Sequence, residues 1–243
     1  MNELIKYETD DRVAIVSLNR PEKLNALSTQ LVSELRETWL RFDADDTLAV
    51  AVFRGEGRAF CAGADLNEMN SRQDRIRIPE PEELANESGT WAVSKPIVAA
   101  VQGWVAGGGT RQMLSADIVI AAENLRFWFP ELTRGLTATP VHHLLNGIRL
   151  LHLNEIVCEA EPIDAWTAFR MALVNRIVSE DKLLAEAMRT AHRIASFPLP
   201  SLRATKRFMH EAVKLPAIAY HQGALNRALL ARSAGAGGGD FRE

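Results

Sequence analysis

Arg58-Ala59-Phe60-Cys61-Ala62-Gly63-Ala64-Asp65-Leu66 is read together with Gly103-Trp104-Val105-Ala106-Gly107-Gly108-Gly109. Both stretches are rich in small residues, and each follows a segment that reads as a buried strand, Leu48 to Arg54 and Ile97 to Gln102. Alanine and glycine leave the main chain open to a ligand, and a helix starting at such a turn would add the positive end of its dipole. Two backbone N–H groups aimed at one oxygen make an oxyanion hole. The plainer alternative is a pair of tight turns that merely allow close packing.

Working outward, Leu4 to Tyr7 and Val13 to Leu18 read as two strands joined at Asp10-Asp11, residues that favour tight turns. Leu31, Leu35, Trp39 and Phe42 recur at helical spacing, with Ser28 as the expected N-cap. Ala49 to Phe53, Ile97 to Val101 and Ile118 to Ala121 are short apolar runs of the kind that parallel strands buried on both faces display. Helical stretches separate them, so the expected class is α/β, built from β-β-α units. The polar segment Asn70 to Ser88, interrupted by Pro79 and Pro81, reads as a loop near the ligand or as a solvated connection.

Beyond about Asp181 the pattern becomes helical only. Leu183, Leu184, Ala187, Ala191, Ile194 and Ala195 share a face, Pro198 and Pro200 interrupt, a second helix runs through Leu202, Phe208 and Val213, and a third covers Ala217 to Ala231. This predicts a core domain over 1–181 and a helical oligomerisation region over 182–243 that packs on another subunit.

At 243 residues and 47% hydrophobic content the chain can bury a substantial core. A formal net charge of -3 gives no global attraction to nucleic acid or an anionic membrane. Cys61 and Cys158 lack metal-type spacing, the start Met-Asn-Glu lacks the basic and apolar regions of a signal peptide, and no apolar run is long enough to span a bilayer. A cytoplasmic protein without metal or separate cofactor is expected.

Three segments give the chain a family resemblance: Leu18-Asn19-Arg20-Pro21-Glu22-Lys23-Leu24-Asn25-Ala26-Leu27, Phe60 to Leu66, and Pro96-Ile97-Val98-Ala99-Ala100-Val101-Gln102-Gly103 running into the glycine triplet. With weaker likeness through Ala116-Asp117-Ile118, Phe129-Pro130-Glu131 and Asp164 to Val178, the sequence resembles the enoyl-CoA hydratase/isomerase (crotonase) superfamily. The resemblance implies a spiral of β-β-α units with a C-terminal helical trimerisation region, a homotrimer or dimer of trimers, and an acyl-CoA thioester as substrate. Coenzyme A is then part of the substrate. It also implies that the Ala64 and Gly108 N–H groups form the oxyanion hole, that Ala62, Asp65, Leu66 and Asn67 contact the acyl-CoA, and that Lys23 and Leu24 lie along its adenine and phosphates. Arg20 and Arg58 are further cations for those phosphates, against the commoner fate of a solvated surface charge. The glycine-rich end, Ala234 to Glu243, departs from the family pattern of a final helix and puts part of the coenzyme A contact in doubt.

Proton chemistry sets this sequence apart. Family hydratases carry two glutamates, and only the later one, in the Pro-Glu pair, has a counterpart here, Glu131; Arg111 stands where the earlier one belongs. Aromatic neighbours would desolvate Glu131 and raise its pKa toward the range of a working base. One carboxylate suits Δ3,Δ2-enoyl-CoA isomerisation, whereas arginine, always protonated, cannot activate water. Hydration, or another lyase or hydrolase chemistry of the family, is the alternative, and an acyl-CoA-binding protein with little turnover belongs to a different class. Arg111 would lower the Glu131 pKa, bind a distal carboxylate on the acyl group, or simply face solvent.

Other features read more plainly. The adjacent His142-His143 pair faces two directions on a helix and makes no single metal site. Trp128 and Phe129 wall a pocket or fill the core. Cys61 has no evident base to make it a nucleophile. Gln112 occupies the place where a dinucleotide fingerprint needs its third glycine, and no Gly-Lys-Ser/Thr follows to make a phosphate loop.

Overall fold

Alternation inside the apolar strands decides the layering. The computed structural model describes residues 3–71, 93–136, 138 and 147–210. The hairpin β1 (Ile5–Asp10) and β2 (Val13–Leu18) is antiparallel, turning at Asp11 with φ 51°, a left-handed conformation that aspartate tolerates. From β2 the sheet continues in parallel through β3 (Val50–Gly55), β5 (Ile97–Val101), β7 (Ile118–Ala122) and β10 (Arg176–Val178), in the order β1-β2-β3-β5-β7-β10. Ala51, Phe53, Ile97, Ala99, Val101, Val119 and Ala121 belong to one core cluster, while Val50, Val52, Val98, Ala100, Ile120 and Ala122 belong to another. The period of two thus feeds apolar side chains to both faces, which is why these strands read as uninterrupted hydrophobic runs.

Helix α1 (Thr29–Ala44) closes the first face, burying Leu31, Leu35, Trp39 and Phe42, and Ser28 caps it by accepting a hydrogen bond from the Leu31 N–H. Trp39, Phe53 and Phe60 meet edge to face, with centroids 5.2 Å apart in each of the two successive pairs. Helix α4 (Leu183–Ala195) closes the second face with Leu183, Ala187, Ala191 and Ala195, mostly small residues four apart that let it lie close to the sheet. The compact unit runs from Met1 through Lys206. The boundary read at 181/182 therefore falls inside that unit, because the sheet itself covers the apolar stripe that sequence reading assigned to another subunit. The expected helix Ala217 to Ala231, the Gly-rich end and most of the Asn70 to Ser88 segment lie outside the described residues.

A buried cation pair ties residues 199–206, which are helical, to the core. Lys95 is fully buried and donates to the Phe42 and Asp45 carbonyls at the end of α1 (2.7 and 2.6 Å). Lys206 donates to the Lys95 carbonyl (2.9 Å) and to Asp117 Oδ2 (2.8 Å), the oxygen that also accepts from the Ile97 N–H. Removing the amine would strand a mostly buried carboxylate. Lys206→Met is expected to lower unfolding free energy by about 3 kcal/mol, read by urea denaturation; an unchanged midpoint would show that Asp117 is served by solvent.

The sequence reading runs each long strand straight into its small-residue turn. Instead a second, short strand intervenes each time: β4 (Ala59–Cys61), β6 (Trp104–Ala106) and β8 (Arg126–Trp128) form a second sheet in the order β4-β6-β8-β9, with β9 at Ile163–Asp164. Sharp reversals explain why they were hidden. At Gly103 a Cβ would lie 2.0 Å from the Arg58 carbonyl oxygen, and φ is 56°, so only glycine lets the chain pass from β5 to β6.

Candidate active site

Parallel pairing of the small sheet sets three chain segments side by side. Cys61 of β4 pairs with Val105 of β6, and Ala106 of β6 pairs with Trp128 of β8. The residues that leave the three strands, Ala62 to Ala64, Gly107 to Gly108 and Phe129 to Glu131, consequently emerge at one edge, the carboxyl end where parallel sheets gather ligands. Helix α2 (Leu66–Ser71) follows the first of these turns and α3 (Gly108–Leu114) the second. The Gly107 N–H donating to the Trp128 carbonyl (3.0 Å) links the second turn to the third segment.

Local pairing aims the Ala64 amide. Leu27 donates its N–H to the Gly63 carbonyl (2.7 Å) and accepts from the Asp65 N–H (3.1 Å), a parallel bridge that turns the N–H of the intervening Ala64 away from Leu27. Among the described residues, neither the Ala64 nor the Gly108 N–H donates within the fold. The turns abut: a Cβ on Gly63 would stand 3.2 Å from the Gly108 nitrogen, and one on Gly108 would stand 3.8 Å from the Ala64 nitrogen. Gly109 lets α3 press against β4, since a Cβ there would meet the Cys61 carbonyl oxygen at 2.3 Å.

An ion pair buttresses the first turn. Arg20 Nη1 donates to Asp65 Oδ2 at 2.6 Å and to the Ala26 carbonyl at 3.2 Å, while Asp65 Oδ1 accepts from the Asn67 N–H at 2.9 Å. Asn25, fully buried, accepts from the Arg20 N–H (2.8 Å) and donates to the Glu56 and Ala59 carbonyls (2.9 and 2.8 Å). The Arg20 hydrogen bond, followed by the Asn67 N–H, holds the Asp65 carboxyl below the usual aspartate range. Its folded pKa being depressed, the stability it lends is complete above the unfolded aspartate pKa and is lost only as pH falls through the lowered value. We expect Arg20→Ala to reduce turnover about tenfold with a smaller change in KM, because the Ala64 amide loses its brace; steady-state kinetics that match wild type would sink this role.

Glu131 supplies the carboxylate. Its carbonyl accepts from the Arg134 and Leu136 N–H groups (3.0 and 2.9 Å), anchoring the backbone, and its Oε1 would lie 3.4 Å from a Cβ placed on Gly107, the residue before the Gly108 amide. Among the described residues Oε2 is buried without a hydrogen-bond partner. Burial raises the Glu131 pKa above the ordinary glutamate value, opposed by a backbone hydrogen bond and by the charges of Arg111 and Arg134. Phe129 is buried in the core, and the Trp128 indole donates to the Ala160 carbonyl (2.6 Å). A carboxylate made more basic by desolvation, beside two amides that can stabilise an oxyanion, suits proton abstraction next to a carbonyl.

Ala64 and Gly108 both line a cavity of about 330 Å³, together with Leu27, Val32, Asp65, Glu68, Arg111 and Gln112 among others. Glu131 stands beside this wall, against Gly107, and is not one of its lining residues. A family profile described as Enoyl-CoA hydratase/isomerase matches residues 8–231. The chain belongs to the enoyl-CoA hydratase/isomerase family. It is 35% identical over 219 residues to a probable enoyl-CoA hydratase of Rhizobium meliloti, covering 88% of this chain and 83% of that one. Identity to a mevalonyl-coenzyme A hydratase of Aspergillus fumigatus is 36% over 214 residues, 85% of this chain and 77% of the relative. A crystal structure of an enoyl-CoA hydratase/isomerase from Xanthobacter autotrophicus superposes with a TM-score of 0.83 at 29% identity, covering 93% of this chain and 86% of that one. Enzymes of the enoyl-CoA hydratase/isomerase family act on acyl-CoA thioesters, and the crotonase fold expected from the motifs is the fold of these neighbours.

Within this family frame the remaining residues separate. Lys23 is exposed in a 3-10 turn (Pro21–Lys23), and Leu24 follows in the left-handed region with its carbonyl accepting from the Ala62 N–H (2.9 Å). Leu66 and Asn67 are exposed at the start of α2. Arg20, read as a phosphate cation, is instead engaged with Asp65 because that carboxylate is buried and needs a partner. Cys61 is buried, its thiol pushed up to about 12 by desolvation, which leaves it inert. His142 and His143 lie outside the described residues. Sequence reading missed Glu68, whose Oε2 accepts from the Thr29 N–H and hydroxyl (both 2.8 Å); its signal was the Asp65-x-x-Glu68 spacing of a capping box.

Proposed function

We propose that the protein isomerises 3-enoyl-CoA to 2-enoyl-CoA, with Glu131 as the one acid-base. Ionised Glu131 takes a proton from C2, and the electron pair delocalises onto the thioester oxygen held by the Ala64 and Gly108 N–H groups. The protonated acid then delivers the proton to C4 as the double bond settles between C2 and C3, so proton and charge balance without water. Coenzyme A would run along Lys23 and Leu24 and along the main chain of Ala62, Asp65, Leu66 and Asn67. The observation that carries this reading is the buried, unpartnered Oε2 of Glu131 next to Gly107. Arg111, on the neighbouring wall, carries a guanidinium, which has no acceptor to serve as a second base for water.

Hydration is the second reading. The relatives' names favour it, and Glu68 places another carboxylate in the cavity wall. The mevalonyl-coenzyme A named for one relative has an oxygenated acyl group, in keeping with the polar wall here. Purified protein offered 3-enoyl-CoA and 2-enoyl-CoA separately decides between them: conversion of the first to the second without 3-hydroxyacyl-CoA supports isomerisation. Faster formation of 3-hydroxyacyl-CoA from the second would overturn it, and no turnover of either would favour an acyl-CoA-binding role. Exposed Leu150, Leu151, Trp166 and Phe169 provide apolar surface on which copies would assemble as a homotrimer or dimer of trimers.

A further inference from the structure

The two amides have an apolar neighbour. A Cβ placed on Gly108 would lie 3.2 Å from Leu27 Cδ1 and 3.8 Å from the Ala64 nitrogen, so a Leu27 methyl and the Ala64 amide crowd one point beside Gly108. Leu27, Ala64 and Gly108 all line the cavity. On the acyl-CoA reading above, the coenzyme runs along Lys23, Leu24, Ala62, Asp65, Leu66 and Asn67, and of these described residues only Asp65 lines the cavity. The cavity is thus left to the acyl group, which meets Leu27 at its first carbons, next to the oxygen that the amides hold.

That part of the wall has little room to retreat. The Leu27 N–H donates to the Gly63 carbonyl (2.7 Å) and its carbonyl accepts from the Asp65 N–H (3.1 Å), so its backbone is pinned to the residues on both sides of Ala64. Its side chain packs against the main core cluster. A packed apolar wall rejects added bulk, because side chains and backbone have to shift to admit it.

Resting on that acyl-CoA reading, we infer that Leu27 sets specificity at C2: the preferred acyl groups are unbranched at the carbon next to the thioester carbonyl. A methyl on C2 competes with the Leu27 methyl for the space beside Gly108, whereas a chain that grows from C3 runs on into the cavity. The same contact limits rotation of C2, the carbon whose proton the proposed isomerisation removes.

Calorimetric binding of saturated thioesters tests this without relying on turnover. Relative to propionyl-CoA, butyryl-CoA carries one more methyl at C3 and isobutyryl-CoA one more at C2, so the latter two are isomers that differ only in branching. Wild type is expected to bind isobutyryl-CoA at least about tenfold more weakly than butyryl-CoA, the scale on which an apolar pocket discriminates a single carbon. Leu27→Ala should bring the isomers within about twofold of each other, whereas Val32→Ala, which enlarges the same cavity from α1, should leave the gap open. Thermal melting checks that each variant folds; if Leu27→Ala does not, Leu27→Val takes its place and should narrow the gap. Isobutyryl-CoA binding as tightly as butyryl-CoA in wild type, a gap unchanged by trimming Leu27, or one closed equally by Val32→Ala would overturn the inference while leaving acyl-CoA binding intact. If none of these thioesters bound, the acyl-CoA reading would fail first and this inference with it.

Discussion

Glu131→Gln is expected to lower the turnover of 3-enoyl-CoA by about a thousandfold, the scale on which a positioned acid-base contributes, while butyryl-CoA binds within a factor of about two of wild type. Glutamine keeps the shape of the side chain beside Gly107 but can neither take nor return a proton. The wild-type pH profile should carry the same information. The active form is the ionised one, and burial raises the Glu131 pKa. Activity should therefore fall on acidification at a higher pH than an ordinary glutamate would give. For stability the sign runs the other way. A carboxyl whose folded pKa is raised stabilises the fold while protonated, and that contribution is lost as pH climbs through the raised value. The glutamine variant should thus melt no lower than wild type above that pH. Isomerisation that persists in Glu131→Gln would remove the residue from the chemistry.

Gly63→Ala should be nearly as damaging, for a reason of geometry. Gly63 has φ 91°, and a Cβ there would lie 2.6 Å from the Ala106 carbonyl oxygen and 3.2 Å from the Gly108 nitrogen. The methyl would wedge between the two turns and separate the amides that have to converge on one oxygen. Loss of one such donor costs about a hundredfold or more in turnover, and the left-handed backbone adds about 1 kcal/mol of strain. A kcat/KM within a few-fold of wild type in a folded Gly63→Ala protein would mean that the Ala64 and Gly108 N–H groups do not act together.

How much of this was legible in the chain depended on whether the signal was local. Ser28 with Leu31, Leu35, Trp39 and Phe42 gave α1 its start and its buried face, since capping and periodicity are properties of consecutive residues. The long parallel strands were equally readable from their unbroken apolar runs. Ala64, Gly108 and Glu131 could be picked out by motif, yet their meeting at one edge depends on the pairing of β4, β6 and β8, each only three residues long and too short to show a period. Arg20 looked like a cation waiting for phosphate because its partner, Asp65, is 45 positions away. The face of α4 pointed to another subunit for a similar reason. Its complement, Val52, Val98 and Ile120 among others, is scattered over distant strands.

The ladder joining Ala106 to Trp128 also acts as a ruler. Slipping β6 against β8 by one position would displace the Gly108 nitrogen from the Glu131 carboxylate by about 3.3 Å and turn alternate side chains inside out. Proton transfer has no tolerance for such an offset. Substitutions far from any reacting atom, along those two short segments, should therefore extinguish turnover whenever they loosen alignment, even in molecules that stay folded and still grip their thioester.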